Sequence, residues 1–305
     1  CLFTLTIIYA GVRNGIERVS KFMMPILIVL SVLIAVYSVT RPGAMEGVKY
    51  FLVPNVKNFS WMTVVAAMGQ MFYSLSIAMG ILITFGSYMK KETSLEDSTR
   101  NVEVFDTAIA IMAGLMIIPA VFSFSGGDPD TLQAGPALMF ITIPKVFENM
   151  GFGTVVGILF FLLVLFAAVT SSIALTESAV STFEDELGWS RRRATVLVGV
   201  IMIALGSLSS LGYGPLVGIK IIGMQFLDFF DFLTNSVMMP IAAMLTSLFV
   251  SRIVGMKRME EEIMHGESTF RRKKIFIVMI KYLCPVFALI ILISSVANAF
   301  GWIAM

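Results

Sequence analysis

Cysteine and histidine are scarce in this chain, and their scarcity excludes several kinds of site. The 305 residues include 2 cysteines, Cys1 and Cys284, and 1 histidine, His265. A zinc site built from these residue types needs several of them at close spacing, so none is predicted. Cys284 precedes Pro285 in an apolar segment, where it packs as a small hydrophobic residue, and His265 lies in the charged, solvated run 260–274.

Motifs for enzymatic chemistry are lacking as well. The sequence shows no nucleophile set for a histidine base, no phosphate-binding loop and no metal-spaced cysteines. We therefore predict that the protein is not an enzyme and has no organic cofactor.

Charged residues are few, at 14% of the chain, and the net charge is only +2. The basic residues sit in short loops rather than along one face, so nucleic acid is not an expected partner. Apolar residues are abundant instead: 57% of the chain is hydrophobic, with 25 Phe and 22 Met, and the mean hydropathy is +0.90. This composition is typical of a protein embedded in a lipid bilayer.

Seven apolar stretches are long enough to cross a bilayer, which takes about 20 residues. They lie at 22–40, 61–89, 102–124, 152–183, 194–211, 221–250 and 275–303. Residues 2–10 cover about half that length, and we interpret them as the tail of a spanning helix whose start is missing. With this count, the basic clusters all fall on one side of the membrane, which the positive-inside rule identifies as the cytoplasm. We predict a multi-pass protein of the plasma or inner membrane.

The outer connection at 125–151 is more than a linker. A turn cluster at 126–130 is followed by an apolar segment that carries Pro136 and Pro144 and is too short to span. We predict a re-entrant or capping hairpin here.

One of the seven spans, 61–89, is broken at its middle by the small and polar residues of QMFYSLSIAMG at 70–80. An interrupted helix frees backbone groups that lipid cannot satisfy, so such backbone is tolerated only against protein or a cavity. Transporters build binding sites in this way, and the two helix ends match the charges of a zwitterionic amino acid. A kinked structural helix, with its serines bonded to the preceding turn, is the alternative.

Oxygen-bearing groups recur at helical spacing inside the apolar span 155–183. The carbonyl of Ala167 and the hydroxyls of Thr170 and Ser171 stand at i, i+3 and i+4, on one helix face. Hard oxygens that converge in this way suit a small alkali cation. The alternative is that both hydroxyls bond to carbonyls of the preceding turn.

Asp106 lies about two turns into the span that follows the basic loop 90–100. A carboxylate within the bilayer costs ~2.5–3.5 kcal/mol on insertion scales, so its default interpretation is functional. It is suited to supply negative charge at a sodium site. The alternative is a shallow position, within reach of cytoplasmic water or a nearby base.

These motifs, in this order, resemble the neurotransmitter:sodium symporter family, most closely its bacterial amino-acid transporters. The resemblance covers essentially the whole chain and rests on 14–18, 70–80, 87–88, 170–174, 184–187 and 227–231. The family's fold is itself a known example of broken helices at an inverted-repeat interface. The resemblance implies an all-α polytopic membrane protein of that fold, with the second repeat complete and helices 1–3 missing.

The family pattern divides the chain into three parts. Residues 1–60 hold the end of helix 4, helix 5 and an outer loop, and 61–250 hold the second repeat, helices 6–10, with the capping hairpin near 125–151. Residues 251–305 hold a cytoplasmic loop and helix 11. The absent helices include the first broken helix, so this chain alone is not expected to transport.

The resemblance also implies roles for individual residues. It assigns the first sodium site to Ser74 and Asp106, and the second to Ala167, Thr170 and Ser171. It assigns the substrate pocket to Tyr73, Ser74, Ser76, Met79, Ser171 and Leu175. It assigns the outer gate to Gln70 and Asp231, and the inner gate to Asp185, with Tyr88 bracing it. Because an aspartate at position 106 is typical of the chloride-independent members, two Na⁺ sites and no chloride requirement are expected.

Two positions depart from the family pattern. Ala78 stands where glycine is frequent, and its methyl group restricts positive φ values at the break. Tyr73 stands where phenylalanine is usual, and its hydroxyl needs a partner.

The implied function is sodium-coupled symport of a neutral, apolar or aromatic amino acid by alternating access. The implied partners are the amino acid, sodium ions, the lipid bilayer and the missing helices 1–3. Two alternatives stay open. One is a proton-coupled permease, which the hydroxyl pair Thr170 and Ser171 disfavours, and the other is a non-transporting sensor, scaffold or fragment with the same fold.

Overall fold

The computed structural model describes residues 1–126, 135–148, 151–266 and 269–303 of the chain. Its α-helices are α1 Leu2–Tyr9, α2 Arg18–Val39, α3 Ala44–Leu52, α4 Trp61–Ser74, α5 Ile81–Ser87, α6 Leu95–Ser125, α7 Gly135–Ala137, α8 Ile143–Glu148, α9 Gly153–Leu187, α10 Arg191–Leu211, α11 Phe226–Asp231, α12 Met239–Phe249, α13 Met256–Ile263, α14 Lys273–Val278 and α15 Cys284–Ala299. Apart from one isolated bridge between Ile221 and Met224, these described residues form helices and loops. The prediction of an all-α fold is confirmed.

Six helical stretches of the described chain are long and apolar enough to cross a membrane. They are Gly15–Val39, Leu95–Ser125, Gly153–Leu187, Arg191–Leu211, Phe226–Val254 and Lys273–Ala299. Several include a π-helical segment, such as Phe232–Met238 between α11 and α12 and Met279–Leu283 between α14 and α15. The six stretches correspond to six of the seven predicted spans. The remaining predicted span, 61–89, is divided between α4 and α5, as its sequence predicts. A multi-pass membrane protein is therefore confirmed.

The chain forms two compact units that interleave in sequence. The first unit contains Cys1–Leu5, Ser60–Glu103 and Ala174–Met305, and the second contains Thr6–Phe59 and Val104–Ile173. These units cut across the expected division into 1–60, 61–250 and 251–305, which stays a prediction.

The second unit is built on an apolar core to which α2, α6, α8 and α9 contribute. Ile143 and Val146 of α8 are completely buried in this core, and Phe147 is nearly so. Most of the expected turn cluster lies outside the described residues, but the described part of the outer connection, 135–148, is helical. Its apolar face is therefore anchored on the core of this unit.

In the first unit, α4, α12 and α15 share an apolar cluster of Phe72, Met239 and Ile291. The start of α4 is fixed by reciprocal capping: the Ser60 hydroxyl accepts from the Thr63 N–H at 3.2 Å, and the Thr63 hydroxyl accepts from the Ser60 N–H at 3.3 Å. A well-capped start and a packed apolar face hold α4 as a helix up to the point where its sequence turns polar.

Candidate functional site

The apolar stretch 61–89 has irregular backbone at its break. Helix α4 ends at Ser74 and α5 begins at Ile81. Between them Ser76, Ala78 and Gly80 have φ values of 54°, 64° and 79°. Left-handed backbone costs an L-residue roughly 1–2 kcal/mol, so the serine and the alanine are strained whereas the glycine is not. Strain of this kind persists only where the surrounding structure imposes it.

Local backbone hydrogen bonds replace the helical ladder across the break. The Ile77 N–H donates to the Phe72 carbonyl at 3.2 Å, and the Met79 N–H donates to the Ser76 carbonyl at 3.4 Å. The methyl group of Ala78 was expected to oppose unwinding, yet this residue adopts the positive φ that the family pattern would give to glycine. The helix therefore opens here at a cost in strain.

Helix α5 rests on α9 through a cluster of hydroxyl groups. The Thr84 hydroxyl lies 3.4 Å from the Ser178 hydroxyl and 3.2 Å from the Ser181 hydroxyl. A Cβ atom on Gly80 would lie only 2.6 Å from the Ser178 Oγ atom, so this close approach requires glycine. The inner half of the broken helix thus begins in tight contact with α9.

A buried charge network follows one turn further on. Glu177 of α9 is completely buried, with 0% exposure, and accepts a hydrogen bond from the Tyr88 hydroxyl at 2.7 Å. Arg191, at the start of α10, forms an ion pair with Glu177 through both nitrogens of its guanidinium fork. Its Nη1 atom also lies 3.1 Å from a carboxylate oxygen of Glu184. The network fastens the end of α5 to α9 and α10.

The expected contact between Tyr88 and Asp185 is wrong. The tyrosine hydroxyl bonds to Glu177, about two turns earlier on α9, while Asp185 is exposed. Sequence reasoning missed Glu177 and Arg191. The available clue was a lone carboxylate well inside the apolar span Gly153–Leu187, where an ionisable side chain is expected to have a partner.

The structure brings the two predicted outer-gate residues together. Gln70, Tyr73 and Asp231 line one cavity of about 520 Å³ within the first unit. Asn235, which also lines the cavity, donates a hydrogen bond to the Asp231 carboxylate. The same cavity is lined by Ser294 of α15, so polar groups from three helices converge on it.

The remaining predicted pocket residues are distributed differently. Ser76 lines a separate apolar cavity of about 360 Å³ between the break, α12 and α15. Met79 packs beside the apolar cluster around Phe72. Leu175 is half exposed on the first-unit part of α9, and Ser171 is exposed on the second-unit part. Within the first unit, Tyr73 and Ser76 therefore contribute to different cavities.

The predicted sodium ligands show one close pair of oxygens. The Thr170 hydroxyl lies 3.0 Å from the Ala167 carbonyl oxygen and 3.1 Å from that of Phe166, to which it also donates. The Thr170 hydroxyl therefore bonds back to its own helix, which is the alternative to an ion site named above. The Thr170 and Ala167 oxygens nevertheless lie on one face of α9. Ser74 in the first unit and Asp106 in the second are both half-buried.

A helical membrane fold in which one helix opens at strained backbone, just after residues that line a cavity with Asp231, is typical of the class of transporters built on broken helices. The family described as "SNF: Sodium:neurotransmitter symporter family" matches residues 1–301. The chain belongs to this family.

Individual relatives agree with this assignment. The chain is 36% identical to the "Uncharacterized sodium-dependent transporter YhdH" of Bacillus subtilis over 87% of the chain and 58% of that protein. It is 33% identical to an "Uncharacterized sodium-dependent transporter" of Haemophilus influenzae over 95% of the chain and 62% of that protein. The crystal structure of MhsT in complex with L-phenylalanine matches with a TM-score of 0.82 and 36% identity, over 96% of this chain and 66% of MhsT. The chain thus spans about three fifths of the length of these curated relatives.

Proposed function

We propose that this chain is part of a symporter that couples the movement of sodium to uptake of a neutral amino acid by alternating access. The observation that carries the proposal is the opening of the helix at Ser76 to Gly80 directly after Gln70 and Tyr73, which line a cavity of mixed polar and apolar character with Asp231. Exposed backbone at helix ends supplies partial charges of both signs, which suits the ammonium and carboxylate groups of an amino acid.

The proposed substrate has an apolar or aromatic side chain. The candidate pocket residues Tyr73, Met79 and Leu175 offer apolar surface and no charge that would pair with a charged side chain. MhsT, which is 36% identical to this chain, was solved in complex with L-phenylalanine. Ser74, Ser76 and Ser171 are proposed to supply the polar contacts.

Two sodium sites are part of the proposal. Ala167, Thr170 and Ser171 form the second site, a role that rests on family membership; in this structure the Thr170 hydroxyl donates to the Ala167 carbonyl and would have to turn its oxygen to the ion. For the first site, Ser74 and Asp106 keep the role that family membership suggests. Because Asp106 supplies a fixed negative charge, chloride is not required.

Gating is proposed at the two ends of the first unit. Asp231 and Gln70 close the outer side, and Asp185 closes the inner side. The network of Tyr88, Glu177 and Arg191 stabilises the closed position of the inner half-helix α5. Sodium entry contributes ~2.3 kcal/mol per charge per 100 mV, which drives the cycle when substrate and ion bind together.

The test uses the full-length protein that contains this chain, reconstituted in liposomes with radiolabelled L-phenylalanine. We expect uptake with an inward sodium gradient and little uptake with potassium in its place. Equal uptake in the two conditions rejects sodium coupling, and uptake that follows a proton gradient supports a permease. A protein that neither takes up nor binds any neutral amino acid would instead be a sensor or scaffold.

A matched pair of threonine variants tests the second sodium site. Thr170→Val removes the hydroxyl that lies beside the Ala167 carbonyl, and we expect the sodium concentration for half-maximal uptake to rise roughly tenfold or more, as for loss of one charge-assisted contact. Thr182→Val is the control, because the Thr182 hydroxyl on the same helix also donates to a carbonyl of its preceding turn, that of Ser178, at 2.8 Å. An equal effect of both variants on sodium dependence contradicts the assignment.

A further inference from the structure

A second polar cavity, of about 350 Å³, lies in the first unit at the start of α6, away from every residue assigned a role in transport. Its lining comes from the first turns of α6 and from the segment before α14: Ser94, Glu96, Asp97, Arg100, Gly266, Thr269, Arg271 and Arg272. The two segments meet closely, because a Cβ atom on Gly266 would lie 2.6 Å from the Thr93 carbonyl oxygen.

Polar contacts hold the two walls of this cavity together. The backbone N–H of Arg271 donates to the Glu96 carboxylate at 3.1 Å. The Arg272 guanidinium donates to the Glu103 carboxylate at 2.9 Å and lies 4.0 Å from that of Glu96. The cavity is therefore formed by paired groups and does not depend on a ligand for its shape.

Other charged groups of the lining are not used in these contacts. Within the described part of the chain, the guanidinium groups of Arg100 and Arg271 and the carboxylate of Asp97 form no ion pair, although all three line the cavity. The Ser94 hydroxyl accepts from the Asp97 N–H at 3.0 Å and caps α6. Among the described groups of the lining that form no ion pair, the cavity thus offers two guanidinium groups, which prefer phosphate, and one carboxylate, which prefers an ammonium group.

The position of the cavity relative to the membrane selects the source of such a ligand. The membrane-length stretches Leu95–Ser125 and Lys273–Ala299 both begin at its lining, so it lies at the level of the lipid headgroups. The basic residues around it assign this level to the cytoplasmic leaflet.

We propose that this cavity binds the zwitterionic headgroup of phosphatidylethanolamine. Arg100 and Arg271 hold the phosphate, and Asp97 accepts hydrogen bonds from the primary ammonium group. The headgroup fits the charges of the cavity better than an anionic headgroup, which leaves Asp97 without a partner, or a choline headgroup, whose quaternary ammonium cannot donate. The inference goes beyond the proposed transport function and does not depend on sodium coupling.

The test titrates the full-length protein, purified and delipidated in detergent, with dioleoyl lipids and follows bound lipid by native mass spectrometry. We expect phosphatidylethanolamine to bind more tightly than phosphatidylglycerol or phosphatidylcholine. Arg100→Gln and Arg271→Gln should each weaken its binding roughly tenfold or more. Asp97→Asn should abolish the preference over phosphatidylglycerol without weakening phosphatidylglycerol itself. Arg193→Gln, a basic residue at the same membrane side that does not line the cavity, is the control and should change nothing.

Several outcomes would overturn the proposal. One is unchanged phosphatidylethanolamine binding in the Arg100→Gln, Arg271→Gln double variant. Another is equal binding of the three lipids to the unaltered protein. Inorganic phosphate that binds as tightly as the lipid would show a free-phosphate site and reject the lipid. Because the two arginines are exposed, the variants should stay folded, and Asp97→Asn gives an independent readout if one does not.

Discussion

The buried pair of Glu177 and Arg191 allows a prediction in which the two partners behave unequally. Glu177 is completely buried, whereas the Arg191 side chain keeps 24% exposure and has a second partner in Glu184. Arg191→Gln leaves a buried carboxylate with only the Tyr88 hydroxyl as donor among the groups that remain in the network. Glu177→Gln instead leaves a partly solvated guanidinium that still pairs with Glu184.

The expected magnitudes follow from this asymmetry. Removing one partner of a buried pair costs about 3–5 kcal/mol, and we take the lower end, about 3 kcal/mol, for Arg191→Gln because water reaches the arginine. Glu177→Gln should cost about 1–2 kcal/mol, since the new amide still accepts from Tyr88. The double variant should be less destabilised than Arg191→Gln alone, because it leaves no unpaired buried charge.

Unfolding of the purified full-length protein in mixed micelles, followed by tryptophan fluorescence, measures these differences. Arg192→Gln is the control, since this neighbouring arginine is exposed, and a change within about 0.5 kcal/mol is expected. Equal losses from the two single variants, or a double variant whose loss is their sum, would refute the reasoning.

Three further predictions concern the break and its anchoring, all measured by the same unfolding assay. Ala78→Gly should stabilise the protein by roughly 1 kcal/mol because it relieves positive-φ strain. The control Ala67→Gly, inside α4, should destabilise it by about 1 kcal/mol. Changes of the same sign in the two variants would contradict strain at Ala78. Gly80→Ala should destabilise the protein by at least about 1–2 kcal/mol, because an alanine is strained at a φ of 79° and its Cβ atom would also meet the Ser178 hydroxyl. Adding Ser178→Ala removes that steric contact and should recover only part of the loss. Full recovery would show that φ strain is not the cause. Tyr88→Phe should lower the free energy of unfolding, because the buried carboxylate of Glu177 loses a donor. A hydrogen bond to a charged group contributes about 1.5–3 kcal/mol, and we expect the lower end because Tyr88 is partly exposed. No loss would mean that the hydroxyl bond is not formed.

Much of the fold follows from hydrophobic length and from the placement of polar residues. Six predicted spans appear as continuous helical stretches, and the remaining one, 61–89, opens inside the polar run at 70–80. Periodicity and length suffice for these features because a bilayer forces every span to satisfy its own backbone. The two compact units were not predicted, since α6 and α9 each divide between them, and no local pattern marks a boundary in mid-helix.

The candidate site was predicted only in part. Gln70 and Asp231 are far apart in sequence, yet they line one cavity, as the resemblance implied. The partner of Tyr88 was assigned incorrectly because a choice between Asp185 and Glu177 depends on where the tyrosine ring meets α9, which spacing alone does not define. Ala78 shows the opposite limit: intrinsic preference argued against a positive φ, and tertiary packing overrode it.

The hydroxyl cluster between α5 and α9 has a mechanical consequence. A hydroxyl group both donates and accepts, so Thr84 is able to exchange Ser181 for Ser178 as its nearest hydroxyl neighbour and keep a hydrogen bond. At this cluster, a small axial slip of one helix along the other therefore trades one hydroxyl bond for an equivalent one. An interface of interlocked leucines would resist the same slip, because each step would open voids in the packing.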